Sequence, residues 1–226
     1  MKVSVILQPI LLCFLIFYLC SCAPSRFVKP LAKGEQAINI AAGGPIISYN
    51  DIPIPEPLVS ATYGYGIDSS LTAFGSFNIT SALYGNIQVE AGVVKRIVKQ
   101  HHGWPGVSIS PVANYIFRNS GDNKFYPQVD LNAYWDHNNS KNLFYAGLSN
   151  WFELSSTKAH DQQQDNHWLL SPMIGEYFIH SKWSINVEVK LVAANLSSQK
   201  TVVEYTTPFG HQGAMGIYVG YTRKIK

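Results

Sequence analysis

Two histidines and two aspartates lie close together within residues 160–167, in the C-terminal third of the chain, where they could perform chemistry. Imidazole and carboxylate side chains bind metal ions and act as general acids or bases. The spacing His-Asp-x3-Asp-x-His across 160–167 matches no strong metal motif, so the sequence favours a polar, solvated loop. A hydrolase that uses these side chains is kept as an alternative hypothesis. The candidate residues are His160, Asp161, Asp165, His167 and His211.

A second group of ionisable residues lies within stretches that alternate apolar and polar side chains. Residues 183–191 alternate without a break and carry two charges on their polar side. A period of two predicts a β-strand with one apolar and one polar face. Carboxylates on such faces could support acid–base work, but an ionic network is the simpler interpretation. Its predicted members are Glu90, Asp130, Glu153, Glu176, Glu188 and Lys190, with Arg118 and Lys224 as further candidates.

The same alternation recurs along most of the chain and predicts about ten strands, with eight as the alternative. Most of these strands are near the roughly 9–11 residues that a tilted membrane strand requires. Short connections follow the even-numbered strands, and the two longest, 156–167 and 196–212, follow odd-numbered strands. The predicted strands are 36–42, 58–67, 71–79, 85–94, 107–117, 126–136, 143–154, 168–179, 183–193 and 214–225.

Composition favours a membrane-embedded all-β fold over a soluble one. Charged residues make up only 14% of the chain and aromatic residues 13%, whereas soluble proteins average about 25% charged residues. One face of the predicted strands carries too many polar and charged residues to form the dry core of a soluble barrel. The sequence therefore predicts an antiparallel up-and-down transmembrane β-barrel that is apolar outside and has a polar lumen. Val89, Leu131, Val187 and Val219 should face lipid, and Glu90, Asp130, Glu188 and Tyr218 should face the lumen.

The pattern over 36–226 resembles that of Gram-negative outer-membrane barrels, which combine short periplasmic turns with longer external loops. Tryptophan placement is similar to their aromatic girdles. Trp104, Trp135 and Trp183 fall beside the short turns, and Trp151 and Trp168 flank a long loop. This resemblance implies residence in the bacterial outer membrane, with outer-membrane lipid as a partner and both chain ends on the periplasmic side.

The N-terminus has the layout of a secretory signal peptide, a basic start followed by an apolar run. The run ends in a sequence that resembles the bacterial lipobox: Leu19, Cys20, Ser21 and Cys22. The resemblance implies cleavage after Ser21 and a diacylglycerol and acyl chain on Cys22. The predicted organisation is a lipoprotein signal peptide over 1–21, a lipidated N-terminus and linker over 22–34, and a barrel over 35–226. All three cysteines lie within this N-terminal region, so the barrel itself can form no disulfide.

The leading functional hypothesis is a non-enzymatic outer-membrane lipoprotein. It would act as an accessory subunit of an envelope assembly, with a protein partner, or as a surface binder through its long loops. Tyr205 and Phe209 belong to an apolar set in the second long loop and are candidate partner-binding residues. A barrel-embedded hydrolase and a narrow channel for small solutes are the alternatives. The net charge of +3 indicates no nucleic-acid partner, and apart from the lipid on Cys22 no cofactor is expected.

Overall fold

The computed structural model describes residues 26–50, 52–118, 123–137, 139–157, 163–199 and 204–225. These residues form eleven strands and one short helix. No helix among them is long and apolar enough to cross a membrane. The elements are β1 (Gln36–Tyr49), β2 (Ile52–Pro55), β3 (Leu58–Asp68), β4 (Leu71–Asn78), α1 (Ile79–Leu83), β5 (Asn86–Val98), β6 (Gly106–Arg118), β7 (Lys124–His137), β8 (Asn142–Phe152), β9 (Trp168–Ile179), β10 (Trp183–Ser197) and β11 (Gln212–Lys224).

Ten of the strands close into one antiparallel barrel. From β3 to β11 each strand pairs with the next along the chain, and β1 pairs with both β3 and β11. The closing register aligns Ala37 with Lys224 and Pro45 with Gly216. Only β2 stays outside the barrel, because it pairs with the distal half of β1. The prediction of a ten-stranded up-and-down barrel is confirmed, and the eight-stranded alternative is wrong.

The two faces of the wall are sorted as the alternation predicted. Inward side chains include Glu90, Asp130, Glu188 and Tyr218, all buried. Outward side chains form an apolar belt that includes Leu131, Ile174, Val187, Val219 and Phe178. Val187 is 39% exposed whereas the adjacent Glu188 is 0% exposed, so one step along β10 separates the two environments.

This sorting predicts that Val187→Arg will destabilise the barrel in a bilayer. A cationic side chain at a mid-membrane lipid-facing site costs about 2–4 kcal/mol. Urea unfolding in lipid vesicles measures the cost, and Val187→Leu is the matched control that keeps the site apolar. Equal unfolding midpoints for the two variants would contradict an outward lipid face.

The barrel has two unlike ends. At one end, here called the turn end, lie the beginning of β1, the end of β11 and the connections 69–70, 99–105, 138–141 and 180–182. At the other, the loop end, lie β2, α1 and the described residues 153–157, 163–167, 198–199 and 204–211. The predicted asymmetry between short and long connections is therefore present.

Two elements at the loop end were not predicted. The predicted first strand stopped at residue 42, but β1 continues to Tyr49 and forms a hairpin with β2. The predicted third strand ran to residue 79, but Asn78 instead caps α1 by accepting a hydrogen bond from the Ser81 amide at 2.9 Å. An asparagine side chain that accepts a hydrogen bond from a nearby backbone amide competes with strand pairing and favours a helix start.

The β1–β2 hairpin is extended by the second long loop. Ser48 N donates to Glu204 O at 2.8 Å and Thr206 N donates to Ile46 O at 2.8 Å, so residues 204–206 flank the hairpin. On the opposite edge, the Glu56 amide donates to Pro45 O. Because pairing alternates with period two, the prolines of β2 fall where an amide would point away from β1. Proline lacks that donor, so this edge is protected against further strand pairing.

Glu56 follows β2, and burial raises its pKa to about 7 from an ordinary value near 4.5. The folded state therefore holds this proton more tightly than the unfolded state. The stabilisation is fully present below about pH 4.5 and is lost as the pH rises through 7. We expect unfolding free energy to fall by about 1–3 kcal/mol between pH 5 and 8.

Glu56→Gln should flatten that dependence, because glutamine does not titrate. Urea midpoints at pH 5 and pH 8 measure it for both proteins. The hypothesis fails when the two proteins show the same change with pH.

One aromatic prediction is wrong. Trp168 is 46% exposed near the loop end, and Trp135 and Trp183 lie at the turn end on the outward face, consistent with girdles. Trp151, however, is only 7% exposed and points into the lumen, where it contacts Tyr126. It shares its face with Ser149 and Tyr145, because residues two apart on a strand face the same side.

Candidate functional site in the barrel lumen

Charged side chains from three strands meet at mid-height in the lumen. Glu90 from β5, Asp130 from β7, and Glu188 and Lys190 from β10 all point inward and are nearly inaccessible to solvent. The wall therefore contributes three carboxylates and one ammonium to this cluster. Buried charges of one sign are costly unless opposite charges accompany them.

Glu188 and Lys190 form the best-ordered part of the cluster. They are two residues apart on β10, so both point inward. Lys190 Nζ lies 3.2 Å from Glu188 Oε1. The Tyr145 hydroxyl donates to Glu188 Oε2 at 2.7 Å. Lys190 Nζ also lies 5.4 Å from the centre of the Tyr218 ring, in cation–π range. Tyr145 and Tyr218 thus contact the two members of this ion pair from the lumen wall.

The chain before β1 supplies a further cation. Residues 26–33, here called the lumen segment, run inside the barrel from mid-height to the turn end. Arg26 is 5% exposed and forms an ion pair with Glu90. Its guanidinium also lies 5.5 Å from the Phe74 ring and interacts electrostatically with Asp130 and Glu188. With Arg26 present, the cluster holds two cations against three carboxylates.

Below Arg26 the lumen segment is tied to the wall by polar contacts. Ser108 Oγ donates to Val28 O at 2.6 Å, and Leu31 N donates to Thr72 Oγ1 at 2.8 Å. Lys29 Nζ pairs with Asp136 Oδ2 at 2.6 Å. Val28 packs with a cluster formed by Tyr134, Leu143, Tyr145 and Tyr177. The expectation that residues 22–34 serve as a linker is thus wrong for residues 26–33, which occupy the lumen.

Two glycines of β3 make room for the lumen segment. A Cβ on Gly64 would lie 2.6 Å from the Phe27 ring, and a Cβ on Gly66 would overlap the Ala32 carbonyl oxygen. Gly34 N also donates to Gly66 O at 2.8 Å, so the two backbones run in contact. Any larger side chain on this inward face would displace the segment.

Much of the remaining lumen surface is polar and lacks protein partners. Buried atoms without a hydrogen-bond partner in the described part of the chain include Ser60 Oγ, Ser110 Oγ, Asn132 Oδ1 and Gln88 Nε2. Such atoms are normally satisfied by water. A cavity of about 10 Å³ beside Arg26, Ser110 and Asp130 has room for about one water molecule. The lumen is thus polar but closed at this height.

Two residues predicted for the ionic network lie elsewhere. Glu176 faces outward near the turn end, where it accepts from Asn142 Nδ2 at 2.9 Å and lies 3.3 Å from His137 Nε2. Its neighbours on β9, Gly175 and Tyr177, are the inward ones. Glu153 lies beyond the end of β8, and its carboxylate accepts from the Ser155 amide at 2.7 Å. Neither carboxylate contributes to the mid-height cluster.

Arg118 and Lys224, the two further candidates for the ionic network, lie at opposite ends of the barrel. Lys224 Nζ pairs with Glu35 at 3.0 Å at the turn end, and Arg118 ends β6 at the loop end.

The loop candidates for metal binding do not assemble a site in the described residues. His160 and Asp161 lie outside those residues. His167 Nδ1 lies 2.8 Å from the Glu153 carbonyl oxygen. In the described part of the chain, no group of three His, Cys, Asp or Glu residues is arranged to hold a metal ion. Asp165 and His211 therefore belong to no such group of potential metal ligands among the described residues.

The two candidate partner-binding residues differ in accessibility. Tyr205 is half-buried, pairs with Ile47 and packs against Val192 and Ala214. Phe209 is 71% exposed. Of the two, only Phe209 offers a side chain to a partner at the loop end.

Sequence reasoning missed the lumen segment, although the chain contains signs of it. The predicted inward faces carried more carboxylates than cations, so a further cation was needed. Arg26 lies just before the first strand. The inward faces of β1 and β3 are also built from small residues, including Ala37, Ala41, Gly64 and Gly66. A wall of small residues implies that something else fills the space beside it.

No protein-family model matches this chain, and no curated protein matches it in sequence. Solved structures do match in fold. The outer membrane channel from Pseudomonas putida F1 superposes with a TM-score of 0.50 at 10% identity, over 90% of this chain and 100% of that chain. The translocator domain of autotransporter NalP from Neisseria meningitidis gives 0.44 at 9% identity, over 97% and 95%. OprG from Pseudomonas aeruginosa gives 0.36 at 11% identity, over 88% and 99%.

At such low identity the similarity concerns the fold alone. The closed order of ten antiparallel strands, the apolar outward belt and the polar lumen define an outer-membrane type of β-barrel. The sequence-based fold class is therefore confirmed. In this barrel the lumen segment is seated on a buried cluster of charges.

Proposed function

We propose that this chain is an outer-membrane barrel that acts as a gated channel for small polar solutes, with the lumen segment as its gate. The observation that carries the proposal is the seating of Arg26 between carboxylates of the wall inside a polar lumen. A purely structural core of this size would favour apolar side chains, because buried ion pairs add little net stability. A polar, hydrated lumen instead suits water and polar solutes.

The attachment of the lumen segment also suits a gate. Its contacts with the wall are two ion pairs, a few hydrogen bonds and the packing of Phe27 and Val28 in two small apolar clusters. It contributes no strand to the barrel. Hydrogen bonds and ion pairs of this kind can be exchanged for contacts with water at modest net cost. The segment can therefore leave while the closed sheet, in which every barrel strand is paired on both sides without it, stays intact.

Arg26→Glu tests the gate. A fourth carboxylate beside Glu90, Asp130 and Glu188 should expel the segment and raise the ion current through planar bilayers. Chymotrypsin added to vesicles should then cleave after Phe27, which is buried while the segment is seated. Lys33→Glu is the matched control, since it makes the same charge change at an exposed position of the same segment. An expelled segment with no current would show that the wall side chains alone close the barrel.

Surface binding is the second candidate function, and the β1–β2 hairpin favours it. The hairpin extends beyond the barrel rim, where Ile52 and Ile54 are 60% and 40% exposed, and Phe209 in the second long loop is 71% exposed. Apolar side chains at the tip of an ordered extension are suited to anchor a protein partner. Co-purification of envelope proteins with Phe209→Ser and with the unmodified chain, in mild detergent, tests an accessory role. Identical partners for both would count against contact through Phe209.

We also propose that Cys22 carries the lipid anchor. The support is the lipobox-like sequence alone, since Cys22 lies outside the described residues. Cys22 precedes Arg26 by four residues, which span at most about 14 Å, so an anchor there would restrict how the lumen segment seats. Intact-mass measurement should give a chain that begins at Cys22 with added acyl mass. A different mature N-terminus without lipid would refute the proposal.

A further inference from the structure

A second cavity, separate from the mid-height charge cluster, opens at the turn end of the barrel. It has a volume of about 370 Å³. Its walls come from the connection between β5 and β6 and from the end of β7 with the connection that follows. Lys29 of the lumen segment lies on its inner side. We call it the vestibule.

The vestibule is strongly basic. Lys29, Arg96 and Lys99 line it together with His101, His102 and His137, and Asp136 is the one carboxylate among its lining residues. Three fixed positive charges against one negative charge leave an excess of two. That carboxylate is already engaged, because Asp136 pairs with Lys29 and its backbone is held on both sides by the Gln100 amide. The excess positive charge therefore has no counterpart in the wall.

We infer that the vestibule is a binding site for a small phosphate-bearing anion. A phosphoryl group carries close to two negative charges and three strong acceptor oxygens near neutral pH. That charge matches the excess of two. The lining residues other than Asp136 can nearly all donate hydrogen bonds, and arginine and lysine are the usual ligands of phosphate. A monocarboxylate would leave one positive charge uncompensated.

The geometry of the two walls supports a ligand rather than a solvated charge patch. His101 and Trp104 close the β5–β6 connection through reciprocal backbone bonds, Trp104 N to His101 O at 2.9 Å and His101 N to Trp104 O at 3.3 Å. Trp135 Nε1 donates to Gly103 O at 3.2 Å and ties the connection to β7. Opposing walls are thus fixed to each other, so the cationic groups are held around a preformed space of a size that takes small molecules.

The phosphate could belong to a soluble compound or to a lipid headgroup, since the turn end lies at the membrane boundary. Calorimetric titration of the full-length protein in neutral maltoside detergent with inorganic phosphate tests the first source. Native mass spectrometry after reconstitution with phosphatidic acid, whose headgroup is a phosphomonoester, tests the second through lipid that stays bound. Saturable binding in either experiment supports the site and identifies its source.

The variant Arg96→Gln/Lys99→Gln should weaken the observed binding by about tenfold or more, because it removes two charged donors. The control Lys182→Gln/Arg223→Gln removes the same two residue types at exposed positions of the same end, outside the vestibule. Heat-modifiable migration in gels checks that both variants fold. Equal weakening in both variants, or no saturable binding of either probe, would overturn the inference. Conductance plays no part in this test, so its outcome is independent of the proposed gate.

Discussion

The Gly66→Val variant is expected to conduct ions in a planar bilayer, whereas in the unmodified protein the lumen segment should keep the barrel closed. A side chain at this inward position would overlap the Ala32 carbonyl oxygen of the lumen segment. The backbone of β3 is locked between β1 and β4, so the segment has to move instead. Overpacking of this kind costs about 1–3 kcal/mol. The seated population should fall roughly 5- to 150-fold as a result.

Single-channel recording in planar bilayers measures this effect. Gly75→Val is the matched control, because it makes the same substitution on the outward face of the adjacent strand. There a Cβ meets nothing nearer than the Glu90 carbonyl oxygen at 3.7 Å. Gly64→Val is a second route to the same result, since its side chain would strike the Phe27 ring. Closed recordings for both inward variants, with normal folding, would contradict gating by the segment.

Lys190→Met is expected to destabilise the folded barrel by about 3–5 kcal/mol, the usual effect of removing one partner from a buried ion pair. Glu188 is 0% exposed and would be left without its ammonium partner beside the other lumen carboxylates. The double variant Lys190→Met/Glu188→Gln should recover most of the loss, because the amide can still accept from Tyr145 without carrying a charge. Urea midpoints in vesicles for the single and double variants measure the coupling. Additive effects would show that the two side chains do not act as a pair.

The Glu188–Lys190 ion pair also changes the expected relative effects of Glu188→Gln and Val187→Arg. On pattern alone, Glu188→Gln should be far milder than Val187→Arg, because one site is polar and the other faces lipid. The structure makes Glu188 the partner of Lys190 and the acceptor of the Tyr145 hydroxyl. Glu188→Gln should therefore be costly on its own, and Val187→Leu is the better control for the lipid face.

The strand count and the orientation of most side chains could be read from the sequence. Alternation is a local property, because successive side chains of a strand point to opposite faces whatever the partner strands are. The division into Val187 outward and Glu188 inward follows from that alone. The same rule shows that two of the predictions were incompatible. Trp151 and Glu153 are two residues apart and would face the same side of a strand, so Trp151 could not join an outward aromatic girdle while Glu153 pointed into the lumen.

Glu176 shows where local pattern fails. Both faces of β9 mix polar and apolar residues, so a charged residue was assigned to the lumen by its charge. The structure instead places Glu176 outward, where Asn142 and His137 from adjacent strands can satisfy it. These neighbours come from the register of β8 and β9 and from the end of β7, which no local pattern specifies.

The sequence by itself thus determined a ten-stranded inside-out barrel, its two faces and its short and long ends, because period-two alternation and turn length are local features. Only the tertiary structure decided what fills the lumen and what the turn end offers. Arg26 meets Glu90 across 64 positions of chain, and Lys29 meets Asp136 across 107. The vestibule likewise joins residues of two separate connections and the lumen segment. Contacts of this range depend on how the sheet closes, and closure is a property of the whole chain.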